Sequence, residues 1–290
     1  MSFDLDAYLH RIGLPARVTV DAEGLARLQR AHRLAIPFEN LDVALGRPIV
    51  IDSNGVFAKL VTARRGGFCF EHNRLFGDAL AALGFEARTV LGQVLLSGTA
   101  TPPGTHALSL VRLAGQDWIA DAGFGGSYAP VMPLVDGAEA ETPDGARFRL
   151  DRTGEGWTLL RDGDAGTTDG RGGGEGVAAQ GSDGALRRRK GGEGWRPQYR
   201  FTLAPVRDEE LAVGNSWAST HADSRFVRHR IVSIVLPHGF ARLTDRHYRR
   251  QVGTAVSEGE ITDPRVYRMR LSLMFGIDLS KDEVAGLGLF

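Results

Sequence analysis

The stretch RRGGFCFEHN, residues 64–73, contains the only cysteine of the chain, Cys69. Gly66 and Gly67 break the chain just before it, and apolar residues at helical spacing follow it as far as Gly84. This pattern predicts a helix that begins near Cys69 and ends at a glycine cap. The first turn of a helix offers unpaired N–H groups and a partial positive charge, which favour a thiolate. Cys69 is therefore a candidate nucleophile, although a small buried hydrophobic residue is the commoner role of a single cysteine.

Composition restricts the classes of function. The chain has 290 residues, enough for two or three domains, and its 42% apolar and 24% charged residues are typical of a folded globular protein. A formal net charge of zero gives no electrostatic reason to bind nucleic acid or an anionic membrane, so small-molecule chemistry is the default. No segment resembles a signal peptide or has the ~20 apolar residues of a membrane span. A single cysteine excludes an intrachain disulfide, and these features together predict a cytoplasmic protein.

Hydrophobic periodicity divides the chain into three units and predicts an α+β fold. Residues 1–84 predict a helical bundle that carries the cysteine. Residues 85–194 contain short alternating runs and predict a compact antiparallel sheet or small barrel, with a Gly-rich stretch at about 164–191 as a surface loop. Residues 195–290 predict a mixed α/β unit. The elements predicted in this unit are strands at 199–206 and 225–236, a returning hairpin arm at 240–252, and helices that open at Asp263-Pro264 and at Ser280.

A nucleophilic cysteine needs a histidine to take its proton and a third group to orient that histidine. His106 begins one predicted strand and Asp121 ends the next, so alternation puts both on one sheet face if a turn at 114–117 joins the strands. The simplest register pairs Asp121 with Leu110, however, and leaves His106 ~13 Å along the strand. Spacing alone supports both as candidates without joining them. His72, on the predicted helix itself, leaves little room for a substrate and is interpreted as a helix-surface or supporting residue.

Five ordered blocks of the sequence resemble the arylamine N-acetyltransferase family. They are IPFENLD (36–42), RRGGFCFEHN (64–73), THALSLV (105–111), DAGFGG (121–126) and STHADSRF (219–226). The resemblance covers roughly residues 5–160 and 195–285. It implies a helical bundle, a β-barrel and an α/β lid, with a cysteine-protease-like catalytic core between the first two.

The resemblance also implies roles for individual residues. Cys69 is expected to be the nucleophile, His106 its base and Asp121 the carboxylate that orients the base. Glu39 and Arg65 are expected to support this triad. The residues expected around the cleft for the acyl donor and acceptor are Phe38, Phe68, Thr105, Phe124, Gly125 and Gly126.

The function implied by the resemblance is N-acetylation of arylamines and hydrazines, part of xenobiotic metabolism. Acetyl-CoA is expected as co-substrate in a ping-pong reaction through an acetyl-cysteine, with no metal, since the histidines are scattered and the one cysteine is already used. An amide synthase that moves a larger acyl chain onto an aromatic amine is the alternative within the family. A papain- or transglutaminase-like cysteine hydrolase and a non-catalytic binding module are alternatives outside it. The sequence leaves open whether the chain forms a homo-oligomer.

Overall fold

The computed structural model describes residues 3–96, 102–125, 128–162 and 194–290, so Gly126 and the Gly-rich stretch 164–191 lie outside the described residues. The helices are α1 Leu5–Arg11, α2 Ala22–Ala35, α3 Leu41–Ala44, α4 Ser53–Phe57, α5 Cys69–Leu83, α6 Asp208–Thr220, α7 Arg225–Arg228, α8 Pro264–Phe275 and α9 Lys281–Gly286, with a π-helical turn, Ala58–Thr62, after α4. The strands are β1 Phe38–Glu39, β2 Glu86–Val94, β3 His106–Leu113, β4 Gln116–Ala120, β5 Met132–Pro133, β6 Ala138–Glu141, β7 Arg147–Thr153, β8 Gly156–Asp162, β9 Trp195–Phe201, β10 Ile231–Leu236, β11 Gly239–Thr244, β12 His247–Val252 and β13 Ala255–Glu260. None of the helices in these ranges is long and apolar enough to cross a bilayer.

The first unit packs α1, α2, α4 and α5 around one apolar core. The carboxylate of Asp21 caps α2 by accepting the Gly24 N–H at 2.7 Å, and the helix ends before Pro37, as predicted. Helix α5 begins at Cys69 and is closed by Gly84 in a left-handed conformation, so the helix predicted from the cysteine motif is confirmed. Members of this core that are fully buried include Tyr8, Leu25, Leu28, Leu75, Phe76 and Leu80.

The second unit is an eight-stranded antiparallel, barrel-like sheet with the strand order β5-β4-β3-β2-β9-β8-β7-β6. Strand β9 pairs with both β2 and β8, so it belongs to this sheet. The predicted boundary at 194/195 assigns the same strand to the lid. Local periodicity could not reveal this, because the pairing of β2 with β9 joins segments that are far apart in the chain.

The third unit is a five-stranded antiparallel sheet, ordered β1-β10-β11-β12-β13, with α8 and α9 contributing to its apolar core. Its edge strand β1 comes from the segment that follows α2, and Phe38 pairs there with Ser233. The Asp263 cap before Pro264 and the Ser280 cap of α9 are as predicted. The α+β class, with helices, a barrel-like sheet and a mixed lid, is confirmed.

Three predicted strands of the last unit are wrong in detail. The range 199–206 is a strand only as far as Phe201, and that strand begins at Trp195. The range 225–236 begins as helix α7, whose first turn is capped by Ser224, and only its second half is a strand. The range 240–252 is two strands rather than one arm, because the chain reverses at Asp245, which has a positive φ of 52°. Helix α6, which is not among the predicted elements, starts with three acidic residues in its first turn, a favourable charge for a helix N-terminus.

Candidate active site

Three elements place the predicted triad residues side by side. Cys69 is the first residue of α5, His106 the first of β3, and Asp121 directly follows β4. All three are buried, with exposed fractions of 4%, 1% and 1%. His106 Nε2 lies 2.7 Å from Asp121 Oδ2, and Cys69 is near enough to His106 to raise the pKa of its imidazole. Because Nε2 faces the carboxylate, Nδ1 is the ring nitrogen left for the thiol.

The register of the β3–β4 hairpin brings the histidine and the aspartate together. The turn has two residues, Ala114 and Gly115, both with positive φ, instead of the predicted four. Leu110 therefore pairs with Ile119 and not with Asp121. Continued beyond β4, this register puts Asp121 two residues from His106 on the same face, within diagonal reach. The predicted separation of ~13 Å along the strand is therefore wrong.

The electrostatics of the pair favour an ionised carboxylate and a basic imidazole. Burial alone raises the pKa of Asp121, but His106, the Arg33 guanidinium and the Asn73 amide outweigh it and hold the pKa of this carboxyl at about 2. Burial lowers the pKa of His106, but Asp121 and the contact with Cys69 outweigh it and raise that pKa well above its ordinary value. His106 is thus a stronger base than a free histidine.

The Asp121 carboxylate is held by several donors besides the histidine. Its Oδ1 accepts the Asn73 amide at 3.1 Å and the Gly123 N–H at 2.9 Å. Its backbone N–H donates to the Gln29 side chain at 2.6 Å, which ties the loop after β4 to helix α2. The remaining oxygen, Oδ2, is the one directed at His106.

Asn73 links all three elements that carry the triad. Its Nδ2 donates to the carbonyl oxygens of Ala107 in β3 at 2.6 Å and Cys69 in α5 at 3.2 Å, as well as to Asp121. Its Oδ1 accepts the N–H of Ala122 at 3.1 Å. This residue is not among those predicted, although it stands in the cysteine motif four residues after Cys69, on the same helix face.

A largely buried ionic cluster lies next to the turn before the cysteine. Arg65 binds Glu39 at 2.7 Å, as expected of supporting residues, and it also lies 3.2 Å from Asp42. Lys59 joins Asp42 to Glu71, at 2.8 Å from each. These three further members, two acids and a lysine, were not predicted.

Glu71 is the member of this cluster nearest to the nucleophile. Its carboxylate accepts the Phe68 N–H at 2.9 Å, which satisfies one of the free donors at the start of α5. Burial raises the pKa of Glu71 to about 7, against the opposing effect of Lys59. The cluster therefore contains a carboxyl that changes charge close to neutral pH.

The predicted cleft residues divide into three groups. Phe38 and Gly125 line an open cavity between α2, the loop after Asp121 and the β10–β11 turn. Thr105 and Phe124 lie at the triad: the Thr105 carbonyl accepts the Cys69 thiol at 3.9 Å, and the Phe124 ring meets the His106 ring edge-on at 5.1 Å.

Of the other two predicted cleft residues, the structure describes only Phe68. Phe68 is fully buried against Phe70 and Phe226 and does not line the cavity. Gly126 is outside the described residues. His72, which was interpreted as a surface or supporting residue, is buried, so a place on the helix surface is wrong. Across the described ranges, no group of three or more His, Cys, Asp or Glu side chains is arranged to hold a metal ion.

Comparison with known proteins shows the family of this chain. The N-acetyltransferase family matches residues 21–284. An arylamine N-acetyltransferase / N-hydroxyarylamine O-acetyltransferase of Salmonella typhimurium is 35% identical over 286 residues, 97% of this chain and 91% of that protein. The solved arylamine N-acetyltransferase from Salmonella typhimurium has a TM-score of 0.84 at 32% identity, over 99% of this chain and 98% of that one. The Mycobacterium marinum arylamine N-acetyltransferase in complex with CoA has a TM-score of 0.81 at 28% identity, over 98% of both chains. The chain therefore belongs to the arylamine N-acetyltransferase family, which confirms the resemblance found in its sequence.

Proposed function

We propose that this enzyme transfers an acetyl group from acetyl-CoA to arylamines and hydrazines in two steps, with Cys69 as the covalent carrier. The observation that supports this most directly is the buried arrangement in which His106 lies 2.7 Å from Asp121 and near enough to Cys69 for the cysteine to raise its pKa. A thiol next to a histidine that is oriented by a carboxylate is the arrangement of an activated nucleophile.

In the first step the Cys69 thiol gives its proton to Nδ1 of His106, and the sulfur attacks the thioester carbonyl of acetyl-CoA. The new C–S bond forms as the bond to the CoA sulfur breaks, and the CoA thiolate takes the proton from the imidazolium. Asp121 stays ionised throughout, because its pKa is held at about 2, and stabilises the positive imidazolium. One thioester replaces another, so the step changes the free energy little.

In the second step the amine nitrogen attacks acetyl-Cys69. His106 takes the proton that the nitrogen loses as the amide bond forms, and the Cys69 thiolate leaves and is reprotonated. Arylamines are weak bases and reach the site unprotonated at neutral pH. The relative named N-hydroxyarylamine O-acetyltransferase adds an oxygen nucleophile to the acceptors that we would test.

The open cavity is our candidate for the acceptor's aromatic ring. No triad side chain lines it, but its wall includes Phe38, which belongs to the same apolar cluster as Cys69, and Ala122, which follows Asp121. Phe38 and Gly125 form part of its wall, and Gly125 follows the Phe124 ring that contacts His106. Burial of Cys69, which is 4% exposed, limits the access of water to the acyl intermediate, which would otherwise hydrolyse.

Mass spectrometry of the protein after mixing with acetyl-CoA alone tests the proposal. We expect one acetyl group, on the peptide that contains Cys69, and none on a Cys69→Ser variant. Subsequent addition of 4-methoxyaniline is expected to remove the label and to yield the acetanilide. An acetyl group on another peptide, or a product formed without a labelled enzyme, would refute the covalent carrier.

Kinetics separate the alternatives. Parallel lines in double-reciprocal plots are expected for two-step transfer, whereas intersecting lines indicate direct transfer in a ternary complex. Rapid consumption of acetyl-CoA without any amine would favour a hydrolase. A preference for longer acyl groups in a comparison of acetyl-, propionyl- and malonyl-CoA would favour the amide synthase alternative.

A further inference from the structure

A hydrogen-bonded chain of side chains crosses the helical unit and ends beside the cavity. The Tyr8 hydroxyl lies 2.9 Å from His32 Nδ1, and His32 Nε2 lies 2.8 Å from His72 Nδ1. His72 Nε2 lies 3.1 Å from the carbonyl oxygen of Pro37. Tyr8 and His32 are fully buried and His72 is 1% exposed, so the chain links α1, α2 and α5 away from water.

The carbonyl oxygen of Pro37, at one end of this series of hydrogen bonds, fixes the direction of all of them. A carbonyl oxygen only accepts, so His72 must donate to Pro37 from Nε2, which leaves its Nδ1 as an acceptor. His32 therefore donates to His72 from Nε2, and its own Nδ1 accepts the Tyr8 hydroxyl. Each histidine is neutral in this arrangement. In agreement, burial lowers the pKa of His32 and of His72 well below the ordinary value.

His72, the last ring in this series of hydrogen bonds, packs against the wall of the cavity. His72 stacks on Phe38 with a centroid distance of 6.2 Å and an interplanar angle of 11°. On another side, the Phe38 ring lies so close to Gly125 that a Cβ added there would collide with it. Phe38, His72 and Gly125 all line the cavity. The Phe38 ring therefore lies between His72, whose own ring is held by two hydrogen bonds, and Gly125, with the Phe226 ring 5.8 Å away.

We infer that His72, held by Tyr8 and His32, is a positioning residue that fixes the Phe38 ring and thereby determines how well the enzyme accepts an aromatic amine. The inference rests on the proposed function, because it assigns the cavity to the acceptor. Its hydrogen bonds run to His32 and Pro37, so His72 acts on the acceptor through Phe38 and not on the reacting atoms.

A His72→Gln variant tests this inference, because glutamine keeps a donor and an acceptor but has no ring to stack on Phe38. The variant is first acetylated with acetyl-CoA, and the loss of the acetyl group is then measured against the concentration of 4-methoxyaniline or of hydrazine, an acceptor without a ring. We expect the KM for 4-methoxyaniline to rise about three- to tenfold, the range of a lost aromatic contact. The KM for hydrazine and the rate of the first acetylation are expected to stay within about twofold of wild type.

A second variant keeps the test decisive if His72→Gln does not fold. Tyr8→Phe removes only the hydroxyl at the far end of the chain, and we expect a smaller change in the same direction, about twofold or more. Tyr267→Phe is the matched control: it is also fully buried, lies in the lid, and its hydroxyl has no hydrogen-bond partner among the described residues. The KM of the Tyr267→Phe variant for 4-methoxyaniline is expected to equal that of the wild type.

Two outcomes would overturn the inference. The first is a folded variant in which the ratio of the KM for 4-methoxyaniline to the KM for hydrazine equals that of the wild type. This would show that the series of hydrogen bonds does not affect the aromatic acceptor. The second is an equal rise in the KM for 4-methoxyaniline and for hydrazine, which would show that His72 has only a general structural role. Failure of the wild-type protein to become acetylated on Cys69 would refute the proposed function instead, so the two failures are distinguishable.

Discussion

Truncation of Asn73 to alanine should separate the triad residues while leaving each of them present. The side chain makes four hydrogen bonds of 2.6 to 3.2 Å, one of them to the Asp121 carboxylate. A hydrogen bond to a charged group contributes about 1.5–3 kcal/mol and a neutral one about 1 kcal/mol. Allowing for water that enters the space, we expect the free energy of unfolding to fall by about 3 kcal/mol.

Activity should fall for a different reason from stability. Without the amide, Oδ1 of Asp121 retains only the Gly123 N–H among the donors described above, so the carboxylate is free to turn from His106. If the charge-assisted bond of about 1.5–3 kcal/mol serves to hold this orientation, the acetylation rate falls about 10- to 100-fold. Asn73→Asp should be worse, because it replaces a donor to Asp121 with a second negative charge.

Two measurements on the same sample give these quantities. Urea unfolding followed by circular dichroism gives the free energy of unfolding, and single-turnover mixing with acetyl-CoA followed by mass spectrometry gives the acetylation rate. Asn215→Ala is the matched control, because Asn215 is also buried and donates to the Ile49 carbonyl at 3.1 Å. It should lose stability without a comparable loss of rate. A folded Asn73→Ala protein that acetylates within about twofold of the wild-type rate would refute the reasoning.

Three further changes test other parts of the site. Asp121→Asn should lower the rate of acetylation by about 10²–10⁴ with an unchanged circular dichroism spectrum, and near-normal rates would remove this residue from the triad. Gly125→Ala should displace the Phe38 ring and raise the KM for 4-methoxyaniline about tenfold in steady-state assays; an unchanged value would mean that the ring moves freely. The pKa of Glu71, about 7 in the native state, lies above its ordinary 4.5, so the native state holds a proton that the unfolded state releases between these values. The wild-type free energy of unfolding should therefore fall by up to about 3 kcal/mol as the pH rises from about 4.5 to 7, and urea titrations of Glu71→Gln should lack this component. An identical slope in that variant would assign the titration to another group.

The parts of the fold that depend on local patterns could be predicted from the sequence. Helix α5 begins at Cys69 and ends at Gly84 because the glycine turn, the apolar stripe and the left-handed cap are all local features. The helix after Asp263-Pro264 follows from a similar local cap. Helix α6 was not predicted, since its sequence lacks a clear apolar stripe and its Val213 is 70% exposed.

The site could be predicted only in part, because its geometry depends on register and on distant contacts. Alternation placed His106 and Asp121 on the same face, but the two-residue turn at Ala114 carries no Asn-Gly or Asp-Gly signal, so the register could not be derived. His72 was misjudged for a related reason. Its partner His32 lies 40 positions earlier, and no local pattern indicates that two histidines will meet in a core.

The pairing of β8 with β9 also bears on how this enzyme tolerates changes in length. Asp162 stands opposite Trp195, so the two described residues nearest to positions 163–193 in these strands are neighbours in the barrel-like sheet. Closing a loop costs only about 0.6 kcal/mol more for each doubling of its length. Residues can therefore be added or deleted between β8 and β9 during evolution at little cost in stability, while the pairing register of the two strands is kept.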